Sequence, residues 1–82
     1  MEITEINEII EVAAVFFQGK VTPSWFTWKG NRIYVKEVKK TWTTMAAGEI
    51  TIHFSAISEG GYYELTFNQK SLVWILANTA TE

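Results

Sequence analysis

His53 carries the side chain best suited to acid–base chemistry, and it is the single histidine of this 82-residue sequence. It lies between Thr51 and Ser55 on the polar side of an alternating run of residues. Glu64 falls in the next run, so a hairpin would bring the two side chains together, as a general base requires. The alternative is an ordinary surface histidine on a sheet, and we predict no catalytic residue.

Several kinds of chemistry lack the residue types that they require. The sequence has no cysteine, which excludes a disulfide framework, a thiolate nucleophile and a zinc ribbon. It has no aspartate, so a Ser-His-Asp triad is impossible, although a Ser-His-Glu arrangement is not excluded. Its five glycines form no phosphate-cradling loop. We therefore predict no metal site, no cofactor and no enzymatic activity.

Basic residues are concentrated in one segment. Residues 20–40 have a net charge of +5, whereas residues 1–19 have −4 and residues 41–82 have −3. Tryptophans interleave with these bases, and the combination is typical of single-stranded nucleic-acid binding, in which lysines neutralise phosphates and rings stack on bases. The candidate residues in segment 20–42 are Trp25, Trp28, Lys29, Arg32, Lys36, Lys39 and Lys40. The alternative is a lysine-lined edge over an aromatic core, and the total charge of −2 opposes long-range attraction of a polyanion.

In the last run, apolar residues occupy both the odd-numbered and the even-numbered positions, so both faces of the predicted strand are apolar. A small sheet cannot readily cover both sides of such a strand, so we predict a self-association or partner face. The residues of that face are Leu72, Val73, Trp74, Ile75 and Leu76. The alternative is that the strand is buried inside a curled sheet.

The pattern of the whole chain predicts a meander of short strands. Turn-forming residues recur at short intervals, and the runs between them are rich in β-branched and aromatic residues. We predict an all-β domain over residues 1–82, with about six antiparallel strands in meander order curled into a half-open barrel or roll. We expect Trp28, Trp42 and Trp74 to share one core.

Two segments depart from simple alternation. Apolar residues change parity between Val35 and Val38, which predicts a bulge or strong bend in the run from Arg32 to Thr44. In the N-terminal segment we predict a strand over Ile9–Gln18 after a loosely ordered lead-in, residues 1–8. A helix stays open there, because apolar residues also recur at helical spacing. The residues of that helical pattern are Ile3, Ile6, Ile10, Ala13 and Phe17.

The middle of the chain carries a recognisable spacing of structural residues. Trp28, Gly30, Ile33, Val35, Val38 and Trp42 form a W-x-G-x-x-φ-x-V-x-x-V-x-x-x-W pattern, and a Gly-Gly-Tyr-Tyr-Glu-Leu stretch follows at residues 60–65. Over residues 10–78 the chain resembles a bacterial family of small all-β domains of unknown function, some of them attached to translesion-polymerase-like chains. Members typically have an aromatic residue where this chain has Ile33. The resemblance implies the fold and no catalytic residue.

The function that we expect is that of a cytoplasmic, non-catalytic accessory or protein-interaction module. Glu2 and Glu5 stand where a signal peptide needs positive charge, and the uncharged run Ser71–Thr81 is too short to span a membrane. The partner would be an unknown protein or a second copy of the chain, with no membrane involved. The alternatives are single-stranded nucleic-acid binding and, third, a small-molecule binder inside the curled sheet.

Overall fold

Alternating apolar and polar side chains place one row of each run against a shared core, and the result is a single antiparallel sheet. A computed structural model describes residues 2–81, so Met1 and Glu82 lie outside the described part of the predicted domain. The strands are β1 (Glu2–Phe17), β2 (Lys20–Trp28), β3 (Asn31–Tyr34), β4 (Glu37–Ala46), β5 (Glu49–Ser58), β6 (Gly61–Asn68) and β7 (Trp74–Thr81). The prediction of an all-β meander is confirmed.

The order of strands across the sheet is β3-β2-β1-β7-β6-β5-β4, and the sheet is not closed. The long strand β1 joins its two halves, because Glu11–Phe17 pairs with β2 and residues between Glu2 and Ile10 pair with β7. β3 and β4 are consecutive in sequence but form opposite edges of the sheet. Each of these two edge strands therefore pairs with one neighbour only in the described chain.

The predicted third run divides into β3 and β4, which is why the described chain has seven strands rather than about six. At the division, the Val35 N–H donates to the Ser24 carbonyl at 2.9 Å, and the Lys36 N–H donates to the Ile57 carbonyl at 2.8 Å. The chain therefore leaves β2 and joins β5 at this point. The predicted irregularity is confirmed, since the β4–β5 register shifts between Val38 and Lys40.

The core lies on the inner face of the curled sheet. Phe26, Phe54, Leu65 and Leu76 are at most 1% exposed. Trp74 packs beside them, with its ring centroid 5.5 Å from that of Phe54. Burial of these large side chains supplies the main driving force for folding.

Two of the three tryptophans expected in the core contact it, and the third does not. Trp74 is buried, and Trp28 packs against the core with its ring 6.4 Å from that of Tyr63. Trp42 instead lies on the outer face, where it stacks on His53. The bulge between Val38 and Lys40 is the reason, because an extra residue reverses which face the following side chains occupy.

The N-terminal segment is strand from Glu2 onwards, and the described residues contain no helix. Residues 2–8, expected to be a loose lead-in, belong to β1 and pair in part with β7. A register shift between Glu5 and Glu8 accompanies a positive φ of 53° at Asn7. The regular alternation of β1 is therefore interrupted between Glu5 and Glu8.

Candidate functional site

A cleft opens between β2 and β4, and we name it the edge cleft. Within residues 2–81, β4 pairs with β5 alone, and β3 covers β2 over Trp25–Trp28. The facing edges of Lys20–Pro23 and of β4 therefore have no strand partner in the described chain. Pro23 suits such an edge because it has no N–H to leave unpaired. The cleft has a volume of about 560 Å³ and its walls include Thr22, Thr41 and Thr43.

The charge at the edge cleft is positive. Lys20 lines the cleft, and no carboxylate is among the residues described as lining it. Lys40 is not among the residues described as lining the cleft, because its ammonium lies over the Trp42 ring on the outer face. Lys39 is paired, since its ammonium lies 3.5 Å from a Glu37 carboxylate oxygen. The edge cleft therefore favours an acidic occupant.

The edge cleft continues into an exposed apolar surface at the β1–β2 turn, which we name the apolar end. A second cleft of about 450 Å³ lies there and shares Lys20 and Val21 with the first. Phe16, Phe17 and Leu72 line it and are 62%, 67% and 68% exposed. Large apolar side chains grouped in this way mark interaction surfaces on small domains.

The predicted partner face on the last run is only partly at the surface. Trp74 and Leu76 are core residues, at 8% and 0% exposure, so they cannot contact a partner. Val73 and Ile75 are half-buried, and Leu72 is exposed at the apolar end. The prediction is wrong for these two residues, because residues two positions apart in a strand lie on the same face. Trp74 and Leu76 share the inner face, and the sheet curls over them.

The exposed apolar residues of β1 were missed by sequence reasoning. Phe16 and Phe17 end a run that is apolar at both parities. Apolar residues on both faces of a strand predicted a partner face in the last run. The same pattern in β1 is the signal that could have found this surface.

The nucleic-acid candidates divide between two environments. Trp25 lies half-buried beside Arg32, whose guanidinium carbon is 3.9 Å from the ring centroid. Trp28 packs against the core, its indole nitrogen is buried without a described partner, and Lys29 lies 4.7 Å above the ring. The structure therefore does not bring the two tryptophans onto one open stacking surface.

The remaining basic candidates are partly engaged by carboxylates. Lys36 lies 3.8 Å from Glu59, and Lys39 is paired with Glu37. The Lys40 ammonium is 5.4 Å from the centroid of the Trp42 ring, a contact that the sequence reasoning did not identify. These exposed pairs contribute little to stability but reduce the charge that is free for a polyanion.

His53 lies within a cross-strand cluster on the outer face. Its Nε2 is 2.8 Å from the Thr44 hydroxyl, and its Nδ1 is 3.8 Å from a Glu64 carboxylate oxygen. The Trp42 ring stacks on the imidazole, with centroids 5.1 Å apart. The order of hydroxyl, imidazole and carboxylate resembles a triad, but 3.8 Å is too long for a hydrogen bond. Neither cleft described above is lined by this cluster.

The part of the chain over residues 2–81 contains no group of three or more potential metal-ligating side chains. Nor does it contain a helix with the length and apolar character that crossing a membrane requires.

Comparison with protein-family models, curated proteins and solved structures finds no match to this chain. The resemblance to a family of small all-β domains therefore stays a prediction.

Proposed function

We propose that this chain is a non-catalytic protein-interaction module that binds an extended acidic segment of a partner protein along the edge cleft. The observation that carries the proposal is the pair of unpaired strand edges, on β2 and β4, that border one cleft. An added strand would hydrogen-bond to the free N–H and C=O groups of such an edge.

Charge supports an acidic occupant rather than a basic one. Lys20 lines the edge cleft, and no carboxylate is described in its lining. Charged groups at an interface mainly set partner choice and association rate, so Lys20 would select among extended segments. Main-chain hydrogen bonds would supply the affinity common to all of them.

The apolar end supports a second element of recognition. Phe16, Phe17 and Leu72 lie exposed where the edge cleft ends. A few large apolar contacts usually dominate binding energy, so we expect the partner segment to place an aromatic or aliphatic side chain there. The complete ligand would be an acidic strand with one apolar anchor.

Selection from a displayed random-peptide library on the purified domain tests this proposal. We expect enrichment of β-prone acidic sequences with one large apolar residue. Amide chemical shifts on adding a selected peptide should change mainly in Lys20–Thr22 and in β4. Lys20→Glu should weaken binding of that peptide about tenfold or more, because it places like charges together.

Lys29→Glu is the matched control, since it makes the same charge change at the β2–β3 turn, away from the edge cleft. It should leave peptide binding within about twofold, whereas Phe17→Ala should weaken binding and leave the fold intact. Selection of basic peptides, or equal effects of Lys20→Glu and Lys29→Glu, would contradict the proposal.

A second candidate function is single-stranded nucleic-acid binding by segment 20–42. The observation in its favour is that Arg32, Lys29 and Lys40 each lie over a tryptophan ring. Tyr34 is also 61% exposed and free to stack on a base.

A tryptophan fluorescence titration with a short single-stranded oligonucleotide, at about 50 and 200 mM salt, separates the two candidates. Steeply salt-dependent quenching that Lys29→Glu abolishes would favour nucleic acid. No quenching at the lower salt concentration would remove this candidate and leave the protein-interaction proposal unaffected.

A further inference from the structure

A third cleft lies at the opposite end of β2 from Lys20, and nothing in the proposed function uses it. It has a volume of about 340 Å³ and is bounded by β3, the Val35–Lys36 link and the β5–β6 turn. We name it the turn cleft. The backbone around it is held in place, because the Lys36 N–H donates to the Ile57 carbonyl at 2.8 Å.

Two cationic side chains and two hydroxyl groups line the turn cleft. Arg32 and Lys36 supply the charge, and Ser58 and Tyr63 supply the hydroxyls. Arg32 is oriented by its contact with the Trp25 ring at 3.9 Å, which limits the conformations that its guanidinium samples. Guanidinium, ammonium and hydroxyl groups in one cleft are the donors that recognise a phosphate group.

Ser58 provides an independent sign of a missing ligand. This residue is only 8% exposed, and its hydroxyl has no hydrogen-bond partner among the described residues. A buried polar group without a partner is costly, and buried polar groups of native proteins are normally paired. The oxygen itself is closed to solvent, so rotation of the Ser58 side chain about its Cα–Cβ bond would bring it to a ligand oxygen in the turn cleft.

Glycine at position 60 shapes the cleft beside these donors. A Cβ on Gly60 would lie 3.1 Å from the Tyr63 hydroxyl oxygen, which is closer than side chains usually approach. The absence of that Cβ lets the hydroxyl lie against the β5–β6 turn. Tyr63 is otherwise buried, and Phe26 packs edge-on against its ring at 5.3 Å.

One carboxylate in the lining opposes an anion. Glu59 lies 3.8 Å from the Lys36 ammonium, and their side chains are 88% and 58% exposed. An exposed pair of this kind is weak, so a phosphate group could take the place of Glu59 beside Lys36. Removing the Glu59 charge should therefore strengthen anion binding.

We propose that the turn cleft binds the phosphate group of a small phosphorylated molecule, with Arg32, Lys36, Ser58 and Tyr63 as donors. Tyr34 also lines the cleft and is 61% exposed, so a ring attached to the phosphate can stack on it. The site is independent of the proposed function, because it shares no lining residue with the edge cleft.

Titration of the intact protein, followed by amide chemical shifts at constant ionic strength, tests the site. The probes are inorganic phosphate, ribose 5-phosphate, adenosine monophosphate and adenosine. We expect the three phosphate compounds to shift the amides of Lys36 and Gly60, and adenosine to have no effect. Tighter binding of the monophosphate than of ribose 5-phosphate would identify a nucleotide, and equal binding would identify a sugar phosphate. Saturable binding of adenosine alone, or no shift with any phosphate compound, would overturn the proposal.

The Ser58→Ala variant distinguishes an effect on phosphate affinity from an effect on the stability of the fold. It removes a hydroxyl without a partner, so the melting temperature should stay the same or rise, while phosphate affinity should fall about fivefold to tenfold. Glu59→Gln should raise affinity about threefold or more, by removing a like charge. Lys70→Gln, in the turn between β6 and β7, is the matched control, because Lys70 lines none of the three clefts, and it should leave phosphate affinity unchanged. A Ser58→Ala variant with unchanged phosphate affinity would show that Ser58 is not part of a site.

Discussion

At the residue scale, three two-residue hairpin turns use positive φ at a residue directly before a glycine. Gln18, Lys29 and Ala47 have φ values of 48°, 52° and 52°, and each precedes a glycine that also has a positive φ. Two consecutive residues of this kind form the type I′ turn, whose twist matches that of the flanking strands. Asparagine tolerates the first position better than alanine does.

Ala47→Asn should therefore stabilise the domain, by about 0.5 kcal/mol in the free energy of unfolding measured in urea. Ala46→Asn is the matched control. Ala46 pairs with Glu49 at the end of β4, where asparagine is a poor strand residue and should bring no gain. A loss of stability in the Ala47→Asn variant would show that this turn is not limited by its backbone conformation.

At the element scale, the bulge in β4 decides the role of a tryptophan. Val38 and Trp42 have the same parity in sequence, yet Val38 packs against the core and Trp42 stacks on His53 outside. The sequence pattern revealed that an irregularity had to lie in this run. It did not reveal which residue was the extra one, because either placement satisfies local alternation.

The two environments predict different costs of truncation. Trp42→Ala removes a cross-strand stack on the outer face and should lower the free energy of unfolding by about 0.5–1.5 kcal/mol. Trp74→Ala opens a cavity beside Phe54 and Phe67 and should cost about 3–5 kcal/mol. Urea unfolding measures both. Equal costs would mean that Trp42 also belongs to the core.

At the scale of the whole molecule, the sheet order is a circular permutation of a simple meander. β4 to β7 lie in sequence order, followed by β1, β2 and β3. Glu2 pairs with Thr81, so the two ends of the described chain are neighbours. The Val35–Lys36 link is the one connection between consecutive described strands that do not pair with each other.

A permutant that begins at Lys36, ends at Val35 and joins Thr81 to Glu2 through Asn-Gly should fold to the same sheet. It should be less stable than the parent, because β3 and β4 are no longer joined covalently. Bringing these two strands into one sheet then costs more conformational entropy. Circular dichroism and urea unfolding measure fold and stability. An unfolded permutant would show that the link is required to bring the two edges together.

The sequence by itself determined the all-β class, the hairpin turns and most of the strands, but not the start of β1 at Glu2 or the division between β3 and β4. These depend on interactions between residues close in the chain, namely alternation and the conformation of two-residue turns. The positions of Phe26, Phe54 and Leu65 in the core agree with that alternation.

Only the tertiary structure decided which surfaces can bind. The edge cleft exists because β1 pairs with both β2 and β7, which leaves β3 and β4 at opposite edges of the sheet. The turn cleft exists because the Val35–Lys36 link brings Arg32 beside Ser58, which lies 26 positions later in the chain. Both depend on pairing between distant strands and on the position of one bulge. Local alternation carries no information about either, since a strand has the same pattern whichever neighbour it pairs with.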